Sequence, residues 1–552
     1  MADAAGPAID PADLATCIRV LESFHGDLEA FKQPAYKALR KAVLPLLEDV
    51  RSRMFHGNDL ATHEQKKLKK QERKRKAAQA AALDRQFINN TKLRKQRLDA
   101  LESLTAANPA FPQIPDGAVL AIEDESMGND DEANIDEANA EGANDDEAKE
   151  AKLHGFRSCY ACKKRFDSLH HFYDQLCPEC ATLNFQKRLQ TADLTGYKAL
   201  VTGARVKIGY HTALKLLRAN ATVIATSRFP HDAAIRYAKE PDYDVWKDRL
   251  HVYGMDLRDL AGVEAFMTNI GRLFGWLDIV INNATQTIRR PTAYYQHLLE
   301  NERTRLDEKP PAIQAILKQN AEFQVAFQAG PLLLGAREET DVVGKVATTK
   351  SAEMSQLKVH SEDHMEAGTV KALLPTAQLD TNQQQVDLRS TNSWKLKIDQ
   401  VESPELAEVF AINTLAPFIL NKRAILLFAV SPNPHKFIIN VSAMEGKFYR
   451  YKTPHHPHTN MAKAAVNMMT RTCAEDLKSR GIYMNSVDTG WINDENPREK
   501  AQAIAKEHNF QTPLDEIDAA ARILDPIFGG FHIQPHEFPA GQFFKDYVRS
   551  EW

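Results

Sequence analysis

The sequence predicts a doubly wound parallel α/β sheet, preceded by a helical basic region, an acidic stretch and a small four-cysteine ribbon. Three observations predict it. From about residue 191 onward, short β-forming runs alternate with helical patterns, as parallel sheets require. The run Tyr197-Lys-Ala-Leu-Val-Thr-Gly-Ala-Arg-Val-Lys-Ile-Gly209 reads as strand, glycine turn and helix N-terminus. Ahead of it stand Cys159-x-x-Cys162 and Cys177-x-x-Cys180, fourteen residues apart.

Residues 1–106 form the helical region. Leu14, Ile18, Leu21, Leu28 and Phe31 share one face, and Leu39, Val43, Leu46 and Val50 repeat the spacing after Pro34. A second helical pattern covers 64–104. Eight of the eleven residues from Lys66 to Lys76 are Lys or Arg. Such a run reads as a nuclear-import signal, a nucleic-acid contact or a solvated helix face, and no interleaved aromatics favour base stacking. The formal net charge of −4 gives the whole molecule no bulk reason to seek nucleic acid or membrane. No apolar run approaches a membrane span, and the first 30 residues lack a signal-peptide core. Residues 107–150 are expected to be a disordered linker. Twelve of the 25 residues from Glu123 to Glu147 are acidic, too polar to offset ordering entropy.

In the ribbon, residues 151–190, the two Cys-x-x-Cys pairs suit four-thiolate zinc. Four sulfurs leave no open coordination position, so the expected role is structural, and His170 and His171 are expected to be packing or surface residues. With Cys17 and Cys473 isolated, the cysteine pattern fits a reducing cytoplasmic or nuclear compartment better than a disulfide framework.

Residues 191–552 hold the sheet. Expected strands cover 199–201, 222–226, 250–253, 277–281, 436–441 and 483–487, with a last one at 541–544. A strand, a glycine turn and a helix start bring backbone N–H groups and the helix dipole to one point, an anion site. Thr202-Gly203 before Ile208-Gly209, Asn282-Asn283-Ala284 and Asn413 resemble the short-chain dehydrogenase/reductase family over roughly 195–550, with a Rossmann-like fold. The stretch through Cys159, Cys180 and Lys187-Arg188 is similar to a subgroup carrying a zinc ribbon before such a domain.

The resemblance implies a dinucleotide cofactor held by Thr202, Gly203, Ile208 and Gly209. It implies an adenine contact at Asp256-Leu257, support at Asn282 and Ala284, a ribose contact at Lys463, and a nicotinamide contact at Gly490 and Ile492. Ser227 stands where an NAD enzyme keeps an acid and is followed by Arg228, with Arg205 in the glycine loop. Cations favour a 2′-phosphate, so NADP(H) is expected over NAD(H). Lys207 replaces the middle glycine; it points outward, binds phosphate as a point charge, or partly closes the pocket.

The implied catalytic set is only half present. Asn413 and Lys463 match; the Tyr position is Thr459 and the Ser position is Ala443, with Ser442 one residue earlier. A threonine hydroxyl is no phenol: tyrosine titrates near ~10 and an aliphatic alcohol far higher. Tyr449, Tyr451 and the turn His455, His456, His458 are the nearby substitutes. His458 is the sharpest surrogate, against a water-exposed histidine turn as the plainer account, and Glu445 either orients one of them or is solvated. Trp491 is a substrate wall or packing.

Between Asn283 and Asn413 the chain is about 100 residues longer than the resemblance requires, too long for an ordinary loop. This insertion, about 290–400, is expected to be a lid or a surface arm, with a helix near 312–327. Two functions compete: an NADP(H)-dependent oxidoreductase of a carbonyl/alcohol pair with altered proton chemistry, and a nucleotide-sensing regulator without turnover. Expected partners are a small-molecule substrate and no membrane. A homodimer, or a protein partner at the ribbon, insertion or N-terminal helices, is compatible with the pattern.

Overall fold

The computed structural model describes residues 10–54, 60–107, 152–328, 351–375, 378–380, 384–449, 451–493, 495–497 and 511–552. The acidic stretch and the middle of the insertion lie outside the described residues. The chain divides into two units, Met1–Asp84 and Arg85–Trp552.

In the first unit Asp10 caps the helix Pro11–Glu22 and Asp27 caps Leu28–Lys32, each side chain accepting a first-turn N–H. The helix Lys37–Asp49 follows Pro34. Helix Leu60–Asn89 carries the basic run. In the second unit a break at Asn90-Thr91 starts the helix Lys92–Ala107.

That helix is tied to the ribbon. Lys92 and Leu93 donate backbone N–H groups to the carbonyls of His171 and Phe172, and Arg94 pairs with buried Asp174. The ribbon is an antiparallel hairpin, β1 (Lys152–Ser158) and β2 (Arg165–Ser168), followed by the helix Pro178–Leu189. Arg188 from that helix forks onto Asp515 and reaches Asp518, and Lys187 pairs with Asp525. Bidentate, largely buried pairs of this kind fix orientation as well as contact.

The main sheet contains β3 (Lys198–Val201), β4 (Thr222–Ser227), β5 (Leu250–Gly254), β6 (Ile279–Asn282), β7 (Lys436–Ser442), β8 (Ile482–Asp488), β9 (Phe543–Lys545) and β10 (Val548–Ser550). Their order is β10-β9-β8-β7-β6-β3-β4-β5, parallel except for β10, an edge strand the sequence reading missed. The order reverses between β3 and β6, where doubly wound sheets open a crevice at their strand ends.

Side chains alternate across the sheet. Ala199, Val201, Val223 and Ala225 enter one core with Leu214 and Leu217 of helix Lys207–Arg218 and Ile523 and Ile527 of helix Glu516–Phe531. Leu200, Ile224, Val280 and Ile438 enter the other with Phe266, Leu420 and Leu477. The second core corrects one expectation. The continuous helical stretch Ser403–Phe428 is apolar and long enough to cross a membrane. Its Ala416, Leu420, Ala424 and Phe428 are buried against the sheet and the helix Leu260–Phe274. It is a core helix of the domain.

The described parts of the insertion pack on the sheet. Helix Pro311–Gln328 lies along β5, where Asn320 accepts the Gly254 N–H. Buried Arg289 forks onto Asp363 and reaches Glu408, joining the insertion to helix Ser403–Phe410.

Candidate active site

The glycine turn after β3 is braced from β6. Thr202 Oγ1 accepts the N–H groups of Asn283 and Ala284, and Asn283 Nδ2 donates to the carbonyls of Thr202 and Gly203. This packing explains the glycines. Gly203 has φ +67°, and a Cβ on Gly209 would lie 2.3 Å from the Gly203 carbonyl oxygen. The helix Lys207–Arg218 starts after extended Val206, whose apolar side chain cannot cap it. Among the described residues its first-turn N–H groups have no side-chain acceptor, which leaves the helix start open to an anion. Lys207 takes the glycine's left-handed conformation at φ 54°, a strained choice for a lysine. Its ammonium has no hydrogen bond or ion pair among the described residues and is half-exposed.

The adenosine side differs from the expectation in two places. Arg205 is buried and donates to Asp232 Oδ2 and Gln384 Oε1, both at 2.7 Å. It anchors the insertion to the helix Pro230–Tyr237 and is not presented to a phosphate. Asp256 is buried and gripped by the Arg258 fork at 2.7–3.2 Å, while Arg258 also donates to Glu408 and the Met354 carbonyl. Burial alone would raise the Asp256 carboxyl, but Arg258 holds it below the usual range. Its oxygens are saturated by protein, so it serves the loop rather than an adenine. Leu257 is buried beside it.

Arg228 stays available. It gives one Nη2 bond to the Tyr295 hydroxyl and lies 4.5 Å over that ring. Ser227 Oγ accepts the Phe229 N–H. Ser351 of the insertion reaches the Arg228 carbonyl and would stand 2.7 Å from a Cβ on Gly254, so the insertion rests on the ends of β4 and β5.

The catalytic half lies at the ends of β7 and β8. Asn413, in a π-helical turn Ala411–Leu415, exchanges two backbone bonds with Gln286. Such turns are frequent at functional sites. Lys463 Nζ donates to the Val441 carbonyl at 2.8 Å. Burial pushes its ammonium down to about 8, against the pull of nearby Glu445 and Asp488. Glu445 is raised by burial, with Asp488 adding to it and Lys452 and Lys463 opposing it. Thr459 Oγ1 is buried with no partner among the described residues. A buried hydroxyl left unpaired is what a bound molecule would satisfy.

Two catalytic expectations need correction. Ser442 donates to Asn467 Oδ1 at 2.7 Å, and Asn467 holds the Gly446 carbonyl. The Ser442 hydroxyl is thus committed to the loop that follows. The histidine turn is not exposed to water. His456 stacks on Trp394 with centroids 3.8 Å apart, and His455 contacts the Lys395 carbonyl, both residues of the insertion's end. His458 is buried, its Nε2 3.4 Å from Glu405 Oε1 on the neighbouring helix. Tyr451 and Phe448 are exposed, and Tyr449 lies by Ser550.

Sequence reasoning also missed a buried polar ladder below the site. Asn282 Nδ2 donates to Asn421 and Asn440, Asn440 donates to Thr470, and Ser486 donates to Thr470. Asn282 therefore braces the crevice from beneath, while Ala284 holds Thr202 through its N–H. Asn440 and Ser486 sit in register in the fully buried middle of β7 and β8, and a polar residue inside a buried strand is the signal that could have found them.

After β8, Asp488 accepts the N–H groups of Gly490 and Met444. Gly490 takes φ +80°, the Trp491 N–H donates to Tyr160 Oη, and Ile492 is buried. The four cysteine Sγ atoms lie within 4.8 Å of one another. Tetrahedral zinc with Zn–S near ~2.3 Å places sulfurs just under ~4 Å apart, so the donor set fits such an ion.

A family model described as short chain dehydrogenase matches residues 197–302, and one described as Enoyl-(Acyl carrier protein) reductase matches 330–523. An uncharacterized protein of Acanthamoeba polyphaga mimivirus is 31% identical over 389 residues, 68% of this chain and 72% of its own. A fatty acyl-CoA reductase of Mycobacterium tuberculosis is 31% identical over 112 residues, 19% of this chain and 35% of its own. Among solved structures, a short chain dehydrogenase from Burkholderia cenocepacia in complex with NADP is similar at 17% identity and TM-score 0.36, covering 60% of this chain and 91% of its own. A putative short-chain alcohol dehydrogenase from Sinorhizobium meliloti gives 15%, 0.36, 64% and 96%.

Proposed function

This chain belongs to the short-chain dehydrogenase/reductase family, and on that premise we propose that it is an NADP(H)-dependent oxidoreductase of a carbonyl/alcohol pair. The uncapped helix start behind Gly203, with the unpaired Lys207 ammonium beside it, carries this reading. The Lys207, Ile208 and Gly209 amides meet the pyrophosphate, and Lys207 adds a point charge. Arg228, held by the Tyr295 hydroxyl and ring, offers its remaining N–H groups to the 2′-phosphate. Lys463 holds the nicotinamide ribose, and Gly490 and Ile492 border the ring. The dinucleotide, when bound, supplies or accepts the hydride.

The proton comes from this chain. With no phenol at 459, Lys463 Nζ is the buried acid whose proton is exchangeable near neutral pH. The Thr459 hydroxyl orients the substrate oxygen and passes the proton on. Asn413 fixes the loop beside them.

A second reading is a dinucleotide-sensing protein without turnover. It is favoured by the commitment of Ser442 to Asn467 and by the turning of His458 to Glu405. Deuteride transfer from 4-deuterated NADPH to a panel of aldehydes and ketones separates the two. Transfer that disappears in Lys463→Ala supports the enzyme; saturable NADPH binding with no transfer supports the sensor.

The cysteine cluster is proposed to hold structural zinc, which fits a cytoplasmic or nuclear protein. Metal analysis of protein purified without chelator should find one zinc per chain. Leu415, Phe418, Met461 and Met468 are exposed on adjoining helices. They support a homodimer, which light scattering after gel filtration checks.

A further inference from the structure

The cysteine ribbon and the dinucleotide crevice share one apolar core. Cys159, Phe166, Phe172, Tyr173, Leu176 and Cys177 pack together with Ile492 from the segment after β8, and Ile208 of the glycine-turn helix packs against the same cluster. Tyr160 makes the polar link. It lies between two of the four cysteines, its backbone N–H donates to the Gln175 carbonyl, and the Lys163 N–H closes the knuckle on Cys159. From that position its phenol oxygen accepts the Trp491 N–H at 2.9 Å and stands 3.5 Å from where a Cβ on Gly490 would be. Lys545 lies over its ring. Main chain of the 490–492 segment is thus held by a side chain whose own backbone is set by the knuckle.

Resting on the zinc and dinucleotide assignments, we infer that Tyr160 is a positioning residue through which the metal knuckle orders the Gly490–Ile492 segment, so that metal and dinucleotide bind cooperatively. The linkage is reciprocal: whatever factor metal adds to dinucleotide affinity, dinucleotide adds to metal affinity. It requires no movement of the sheet. Only the segment after β8 and the knuckle need differ in order between the loaded and unloaded states.

The experiment uses the full chain in three forms: zinc-loaded wild type, zinc-stripped wild type and zinc-loaded Tyr160→Phe. Phenylalanine keeps the packing and removes only the acceptor. Hydrogen exchange at the Trp491 amide and NADPH titration by fluorescence are read on each, with metal content measured alongside. The expected result is faster exchange at Trp491 and NADPH affinity weaker by roughly 5–50-fold in both altered forms, with zinc retained in Tyr160→Phe. Unchanged Trp491 exchange in Tyr160→Phe overturns the positioning role. Unchanged exchange and affinity on zinc removal overturn the coupling. If zinc-loaded wild type binds no NADPH while Tyr160→Phe still speeds the exchange, the dinucleotide assignment fails and the positioning role stands.

Discussion

At the scale of single residues, the site is governed by whether polar atoms already have partners. Gly203 and Gly209 are legible in the sequence because the steric demand of their turn is local, whereas Asn282 and Lys463 are expected only from the family resemblance, the partners of Asn282 lying far along the chain. Arg205, Asp256 and Ser442 could not be placed. Their partners Gln384, Arg258 and Asn467 come from elsewhere in the chain or from an unpatterned neighbour, and only the fold shows that these groups are spent. Gly209→Ala tests the local kind. Its Cβ would strike backbone oxygen braced by Asn283, so about 1–3 kcal/mol of stability should be lost, read as a lower urea midpoint. NADPH affinity should fall with it. Lys463 gives a test by pH. Its folded ammonium loses its proton near 8, below the ordinary lysine value of 10.5, so between those values the unfolded chain binds more protons. Unfolding free energy should therefore rise from about pH 8 towards 10.5, by about 2–3 kcal/mol in all, and the rise should be missing in Lys463→Met. Urea melts at pH 8, 9 and 10 measure it.

At the scale of elements, strands were the most legible part because a buried parallel strand is a nearly unbroken apolar run. The boundaries of β4, β7 and β8 differ from expectation by a residue at most at either end. The edge strand β10 escaped notice: Val548-Arg549-Ser550 is short, mostly exposed and unpatterned. The insertion was legible only as surplus length. Its attachment depends on Arg289, whose carboxylate partners Asp363 and Glu408 lie far along the chain and follow no period. Removing the guanidinium leaves buried Asp363 without its cation, while Glu408 keeps Arg258, so Arg289→Ala should cost about 3 kcal/mol locally. Limited proteolysis should then cut between residues 290 and 400 first, while Arg305→Ala, a surface pair, should leave the pattern unchanged.

At the scale of the molecule, the ribbon is joined to the sheet domain by more than a linker. Leu514 and Ala519 enter the ribbon's core, Tyr173 donates to Asp518, and Arg522 donates to Asn184. A zinc knuckle standing alone would melt separately on chelation and leave the larger domain untouched. Here the cluster closes a core that includes the helix Glu516–Phe531, packed on β7 and β8, so if the proposed zinc is held there its loss removes support from the sheet domain itself. Binding free energy of a structural metal is folding free energy for whatever its ligands organise. Calorimetry of residues 85–552 in the full chain should show a single main transition that moves down by several degrees when zinc is stripped and returns when zinc is restored. Arg188→Ala should uncouple it: with Asp515 and Asp518 deprived of their guanidinium, an early metal-sensitive transition should separate from a later metal-independent one. A chelator that leaves the whole melting curve unchanged in the native sequence would mean that the four thiols are held by packing alone.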